Sequence, residues 1–255
     1  MIKLSAVIIV YNEEKNIERC LASLNGIADE IVIVDSYSTD KTIEIAQRFT
    51  KHIYQQEFLG YAEQKNFANS LCTFDHIISL DADEVISENL KNEILGIKNN
   101  FSADAYALNR LTNYAGIWVH HCGWYPDKKI RIFKKDKARW AGPRLHETLE
   151  VNSNNIKNLN ADLLHYSFHS VHDHLLQIDK FTNISSKELF DKGIKANFYY
   201  LYIKPIIRFV TDYIVKLGVL DGVTGFIICK NSAYAAYLKY YKLKKHWVEY
   251  ESHSS

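Results

Sequence analysis

Leu4–Val10 ("LSAVIIV") is an unbroken apolar run, and the period changes at Asn12. From there Ile17, Cys20, Leu21 and Leu24 recur at the spacing of one helix face, with Asn12 as the expected N-cap. Glu30–Val34 ("EIVIV") predicts a second strand, and Ser38, Thr39 and Asp40 offer caps for a helix through "KTIEIAQRF". His52–Tyr54 predicts a short third strand, followed by Gly60 and a helical "YAEQKNFANSL". Ile77–Leu80 predicts a fourth strand, Glu88–Lys98 a helix and Ala105–Asn109 a fifth strand. Strands alternating with helices imply an α/β fold, with a Rossmann-like, mostly parallel sheet flanked by helices.

The alternation stops near residue 110. The next stretch is aromatic and basic, and reads as strand and loop through about residue 165. Helical patterns return at Ser170–Asp191, Tyr199–Leu217 and Phe226–Lys242. The expected division is therefore 1–165 as the binding and catalytic domain, with 110–165 as its acceptor-side segment, and 166–255 as a helical extension.

Open parallel sheets gather ligands at the carboxyl ends of their strands. Three such ends carry polar clusters here: "YNEE" after the first strand, "DSYSTD" after the second and "DADE" after the fourth. The first turn contains no glycine, so it cannot bring backbone against a pyrophosphate as a dinucleotide fold does, and no Walker A sequence exists. Asp81 and Asp83, two apart at a strand end, instead suit a hard cation, Mg²⁺ or Mn²⁺, bridging carboxylates and substrate phosphate oxygens. An Asp-x-Asp alone is common in solvated turns. Its setting opposite two other polar strand ends is what points to a ligand.

Charge and composition narrow the field. The formal net charge is +1, which gives no argument for nucleic-acid binding. Hydrophobic residues make up 47%, enough to bury a sizeable core. Cys20, Cys72, Cys122 and Cys229 stand apart, so neither a zinc site nor a disulfide framework is indicated, as suits a reducing cytoplasm. The initial apolar run meets Asn12, Glu13 and Glu14 too early for a signal peptide.

"SAVIIVYNEEKNIERCLASL", "DEIVIVDSYSTDKTIEIA" and "HIISLDADEVIS" resemble the inverting family 2 glycosyltransferases with the GT-A fold. "GWYPDKKIRIFKKDKARWAGPRLHETL" and "LDGVTGFIICKNSAYAAYLKYYKL" resemble the branch that contains lipopolysaccharide core β-glucosyltransferases. The resemblance implies a nucleotide-sugar donor, a saccharide or lipopolysaccharide acceptor, and a divalent cation. By the same resemblance Tyr11 and Glu13 line the base and ribose, Asp35 reads the nucleotide, and Asp81 lies near ribose and metal. Asp83 ligates the metal, Lys65 lies near the donor, and His165 completes metal or phosphate contacts. Glu147 matches the acidic catalytic motif, although many relatives have Glu-Asp where this chain has His146-Glu147, which leaves either residue open as the base.

Simpler roles remain beside these. Glu13 and Glu14 also suit a helix start, Asp35 also suits a closed turn, and Glu147 also suits an ion pair, with Arg144 as one partner. Arg131 alternates with Ile130 and Ile132 and is expected to face away from them, toward the donor diphosphate. His120, His121, His169, His172 and His174 are expected to be structural or acceptor-side residues. Lys204, Arg208, Asp212 and Lys216 recur every fourth position as one polar stripe, which suits a packed helix, an oligomer face or contact with an anionic membrane surface on the cytoplasmic side. A nucleotidyltransferase or a non-catalytic sugar-nucleotide scaffold are the alternative functions.

Overall fold

Apolar on both faces, β1 (Leu4–Val10) can only sit inside a sheet, and parallel neighbours flank it on either side. The computed structural model describes residues 1–142 and 147–253. β2 (Glu30–Asp35) and β4 (His76–Asp81) pair with β1, and β3 (His52–Gln55) extends the sheet beyond β2. All four run parallel, joined through α1 (Ile17–Ser23), α2 (Thr42–Ala46) and α3 (Tyr61–Leu71).

Past β4 the direction changes. β5 (Glu84–Ile86) leads into α4 (Glu88–Asn99), whose N-cap Ser87 accepts the Leu90 N–H. β6 (Ala105–Tyr114) and β8 (Asp127–Lys134) insert as antiparallel strands, and β11 (Ile156–Phe168) carries β5 on its outer edge, giving the order β3-β2-β1-β4-β8-β6-β11-β5. β7 (Ile117–Val119) pairs with the far end of β6. β9 (Ala138–Ala141) and β10 (Thr148–Val151) form a separate hairpin.

One face of the sheet packs Ile8, Ile33 and Leu80 against Leu21 of α1 and Ile94 of α4. The other packs Val7, Val34 and Phe133 against Ala68 of α3 and Leu149 of the hairpin. These residues belong to a first compact unit, Met1–Leu111 with Asp127–Tyr166.

The second unit is Thr112–Pro126 with Ser167–Ser255. α5 (Val171–Asp191) lies along α7 (Gly222–His253), where Lys242 Nζ donates to Asp179 and Thr182. Between them runs α6 (Lys204–Val210), continued at both ends by π-helical turns, Tyr199–Ile203 and Thr211–Val215. A 3₁₀ turn, Gly218–Asp221, then enters α7. A Cβ on Gly225 would stand 1.9 Å from the Gly218 carbonyl oxygen, so this tight entry requires glycine.

Two local expectations change. Asn12 does not cap α1; it adopts φ 55° and spends its side chain on the second loop, where Oδ1 accepts the Thr39 N–H at 2.8 Å. Arg131 does not alternate simply with its neighbours, because the β6–β8 register shifts between Tyr106 and Ala107 and leaves Arg131 as the extra residue of a bulge. Ile132 therefore joins the first core face while Ile130 packs against the second.

Ile8 is fully buried at the centre of this packing. Ile8→Ala is expected to cost about 2–5 kcal/mol of stability, read as a lowered urea midpoint at unchanged slope.

Candidate functional site

The first two loops are laced together before any ligand arrives. Asn12 N–H donates to Ser38 Oγ at 2.9 Å, Glu13 N–H to Thr42 Oγ1 at 2.7 Å, and Glu14 N–H to Asp40 Oδ2 at 3.1 Å. Asp35 is fully buried, and its carboxylate accepts the Ser38 N–H at 3.0 Å and the Gln55 side-chain amide at 3.3 Å. It closes the loop that frames one wall of the site. Tyr11 stands exposed at the end of β1. Burial raises the pKa of Glu13; Asn16, which donates to its carboxylate, opposes this, and Asp83, Asp40 and Asp81 add to it.

A cluster of opposite charges lies beneath the fourth strand end. Lys65, only 2% exposed on α3, donates from Nζ to Asp81 Oδ1 at 2.8 Å and to Glu147 Oε1 at 2.9 Å. Its ammonium also lies 4.4 Å from the Trp140 ring centre. Reciprocal hydrogen bonds between the Asn66 side chain and the Trp140 backbone hold that ring against α3. Arg131 Nη2 donates to Asp81 Oδ2 and Glu84 Oε1, both at 2.6 Å. Glu84 has no exposed surface; its second oxygen accepts the Asp81 N–H at 3.0 Å, and Arg110 reaches it at 3.4 Å.

Burial by itself would raise the pKa of Asp81. The Arg131 guanidinium and the Lys65 ammonium outweigh it and hold the carboxyl well below the usual range. Asp81 nevertheless keeps 32% of its side-chain surface exposed, so it can still meet a ligand.

Asp83 and His165 form the outer edge. β5 and β11 pair so that Glu84 faces His165, the Tyr166 N–H donates to the Asp83 carbonyl, and His165 Nε2 stands 3.2 Å from Asp83 Oδ2. Two donor atoms on neighbouring vertices of an octahedron with bonds of about 2.1 Å are separated by roughly 3 Å, so this pair fits Mg²⁺ or Mn²⁺. No group of three or more metal-ligating side chains occurs among the described residues. The remaining ligands would then come from substrate oxygens and water.

Tyr11, Glu13, Asp35, Lys65, Asp81, Asp83, Arg131, Glu147 and His165 thus all belong to the first unit. Arg131 is the one whose setting differs from expectation, since the bulge aims its Nη2 at Asp81 and Glu84. His146, the alternative base, and Arg144, the alternative partner of Glu147, lie outside the described residues. The partner seen for Glu147 is Lys65. Glu84, Arg110 and Trp140 had no assigned role; Glu84 was visible in "DADE", whereas nothing local marks a tryptophan that will lie over a lysine on another element. His121 pairs with Asp221 at 2.8 Å, and burial lowers the pKa of His174 to about 4 beside Tyr114 and Asn231, while His120, His169 and His172 are exposed.

The sequence pattern of Glycosyl transferase family 2 matches residues 5–146. The chain belongs to this family. An uncharacterised glycosyltransferase of Rickettsia typhi is 30% identical over 96% of this chain and 88% of the relative. The lipopolysaccharide core biosynthesis glycosyltransferase LpsC of Rhizobium meliloti is 28% identical over 92% of this chain and 89% of its own. Among solved structures, glucosyl-3-phosphoglycerate synthase from Mycobacterium tuberculosis, in complex with Mn²⁺, uridine diphosphate and glucosyl-3-phosphoglycerate, superposes with a TM-score of 0.49 at 14% identity, covering 77% of this chain and 82% of that one. The sheet of this family 2 glycosyltransferase, with its parallel N-terminal half and flanking helices, is the GT-A arrangement expected from its sequence.

Arg131→Met leaves Asp81 and Glu84 with fewer buried cations and is expected to cost about 3–5 kcal/mol at pH 7. The depressed pKa of Asp81 contributes stability above the unfolded value, ~3.9, and loses it as pH falls below that. In the variant Asp81 protonates more readily in the folded state, so its deficit should narrow between pH 7 and pH 3, as the pH falls below the unfolded value. Urea titrations at both pH values check this, and an equal deficit at both would contradict it.

Proposed function

We propose that this chain transfers a hexose from a UDP-hexose such as UDP-glucose to a saccharide of the lipopolysaccharide core, inverting the anomeric carbon. The observation that carries the reading is that Lys65 joins Asp81, at the end of β4, to Glu147, immediately before β10, through one buried ammonium. Donor-side and acid–base carboxylates thereby share a single scaffold. LpsC supports the acceptor class, since its name places it in lipopolysaccharide core biosynthesis.

In this reading Tyr11 and Glu13 line the nucleotide, and Asp35 sets the loop beneath it. Asp83 and His165 hold a divalent cation, with Asp81 turned toward the ribose. When bound, that cation supplies charge neutralisation for the diphosphate, which leaves with the electron pair of the broken bond to C1. Lys65 anchors Glu147 by Oε1, and the other oxygen, Oε2, accepts the proton of the acceptor hydroxyl as its oxygen attacks C1 from the opposite face. One attack with one departure inverts the centre without a covalent sugar intermediate. Asp127 is the weaker candidate for the base. Burial would raise its pKa, but Arg110 and Lys129 hold it lowered, so it is a poor proton acceptor.

The direct test is UDP release from a panel of UDP-hexoses in the presence of truncated lipopolysaccharide acceptors. Asp83→Asn should abolish most turnover while the fold survives; undiminished activity of that variant in EDTA would remove the metal assignment. Glu147→Gln should lower transfer by roughly 10²–10⁴-fold with donor affinity nearly unchanged. Near-normal transfer by Glu147→Gln, with loss in Asp127→Asn at constant donor affinity, would place the base on β8. Tight UDP-sugar binding with no transfer to any acceptor would favour a non-catalytic scaffold.

A further inference from the structure

At the centre of the polar stripe of the second unit, Asp212 turns inward. Asp212 is 1% exposed, and its carboxylate is held by Arg208 and by Lys216 Nζ at 3.0 Å. Lys204 Nζ donates to the Tyr240 hydroxyl of α7 at 2.8 Å and lies over the Tyr200 and Tyr240 rings. With the polar side occupied by α7 and its own ion pairs, the helix spanning Tyr199–Val215 presents its apolar side outward. Tyr199, Tyr202, Ile206, Val210 and Ile214 recur three or four residues apart with Ile207 beside them, and all are exposed, Ile206 by 61%. Leu220 and Val223, at 64% and 77%, continue the apolar surface through the turn into α7. A helix in water ordinarily has the reverse arrangement.

The charge on this surface is one-sided. Between Phe198 and Phe226 the acids are Asp212 and Asp221, whose side chains are 1% and 6% exposed and already paired. The cations Arg208 and Lys216 keep 48% and 41% of their side-chain surface. The rim therefore shows positive charge alone, and tyrosines stand at the N-terminal end of the apolar stripe. Apolar centre, cationic rim and amphipathic aromatic residues match the interface of a bilayer with anionic headgroups. No helix among the described residues is long and apolar enough to cross a membrane, which leaves a position in the plane of the interface.

We infer that the Tyr199–Val215 helix and the turn that follows it insert their apolar side into an anionic lipid surface. Insertion of the apolar side carries the binding; Lys242 of α7 is spent on Asp179 and Thr182. The full chain is tested by co-sedimentation with vesicles of phosphatidylcholine alone and with about one quarter phosphatidylglycerol. Binding is expected to the mixed vesicles and to be several-fold weaker without the anionic lipid. Ile206→Asp with Val210→Asp should lower partitioning at least about tenfold while leaving the thermal midpoint nearly unchanged, because both side chains are already exposed. Val223→Asp, at the start of α7, should lower partitioning independently should the double variant fold poorly. Failure of the native chain to bind either vesicle would overturn the inference. So would a solution dimer that these substitutions dissociate without any vesicle binding, since the surface would then belong to a second copy of the chain.

Discussion

Everything at the candidate site depends on balancing charge where little water reaches. Glu84 is wholly buried and pairs with Arg131, which also pairs with Asp81, and Arg131 with Lys65 holds the Asp81 carboxyl well below the usual range. The balance fixes positions as well as energies. Arg131 bonds both carboxylates through one nitrogen, Lys65 bonds Asp81 and Glu147, and Arg110 joins Glu84 to Asp127. A displacement of any one group leaves another charge unpaired, so the cluster defines one arrangement of strand ends and loops.

That arrangement prepares a surface on which acids outnumber cations. Asp81 is neutralised from below, while Asp83, turned to His165, and Glu13, surrounded by other acids, remain at the rim. A diphosphate approaching such a rim would be repelled unless a cation came with it. The sheet supplies the precision. β4 delivers Asp81, the β5–β11 pairing brings Asp83 to His165, and the Asn12–Thr39 bond ties the first two loops together. The family relationship states the reaction class.

Much of this was legible in the sequence because local periodicity decides it. The apolar runs of β1, β2 and β4 and the acidic strand ends are contiguous signals, and they sit where the alternation puts them. What the sequence hid depends on pairing between distant segments. The bulge that re-aims Arg131 follows from its register with Tyr106 and Ala107, which no local pattern encodes. Asn12 looked like a helix cap because its partner Thr39 is 27 residues away. The stripe from Lys204 to Lys216 was correctly read as one helix face, but its spacing could not say whether that face met solvent. Asp212 is buried, whereas Arg208 and Lys216 keep 48% and 41% of their side-chain surface.

The central claim is that this charge cluster presents Asp83 to a cation-bound nucleoside diphosphate. Calorimetric titration of the native chain with UDP, in Mn²⁺ and again in EDTA, tests it most directly. The account predicts one UDP bound per chain in Mn²⁺ and affinity weakened by at least about tenfold in EDTA, a loss of about 1.4 kcal/mol or more. Equal affinity under both conditions would contradict it, because the acidic rim would then be accommodating the diphosphate without the cation it is built to require.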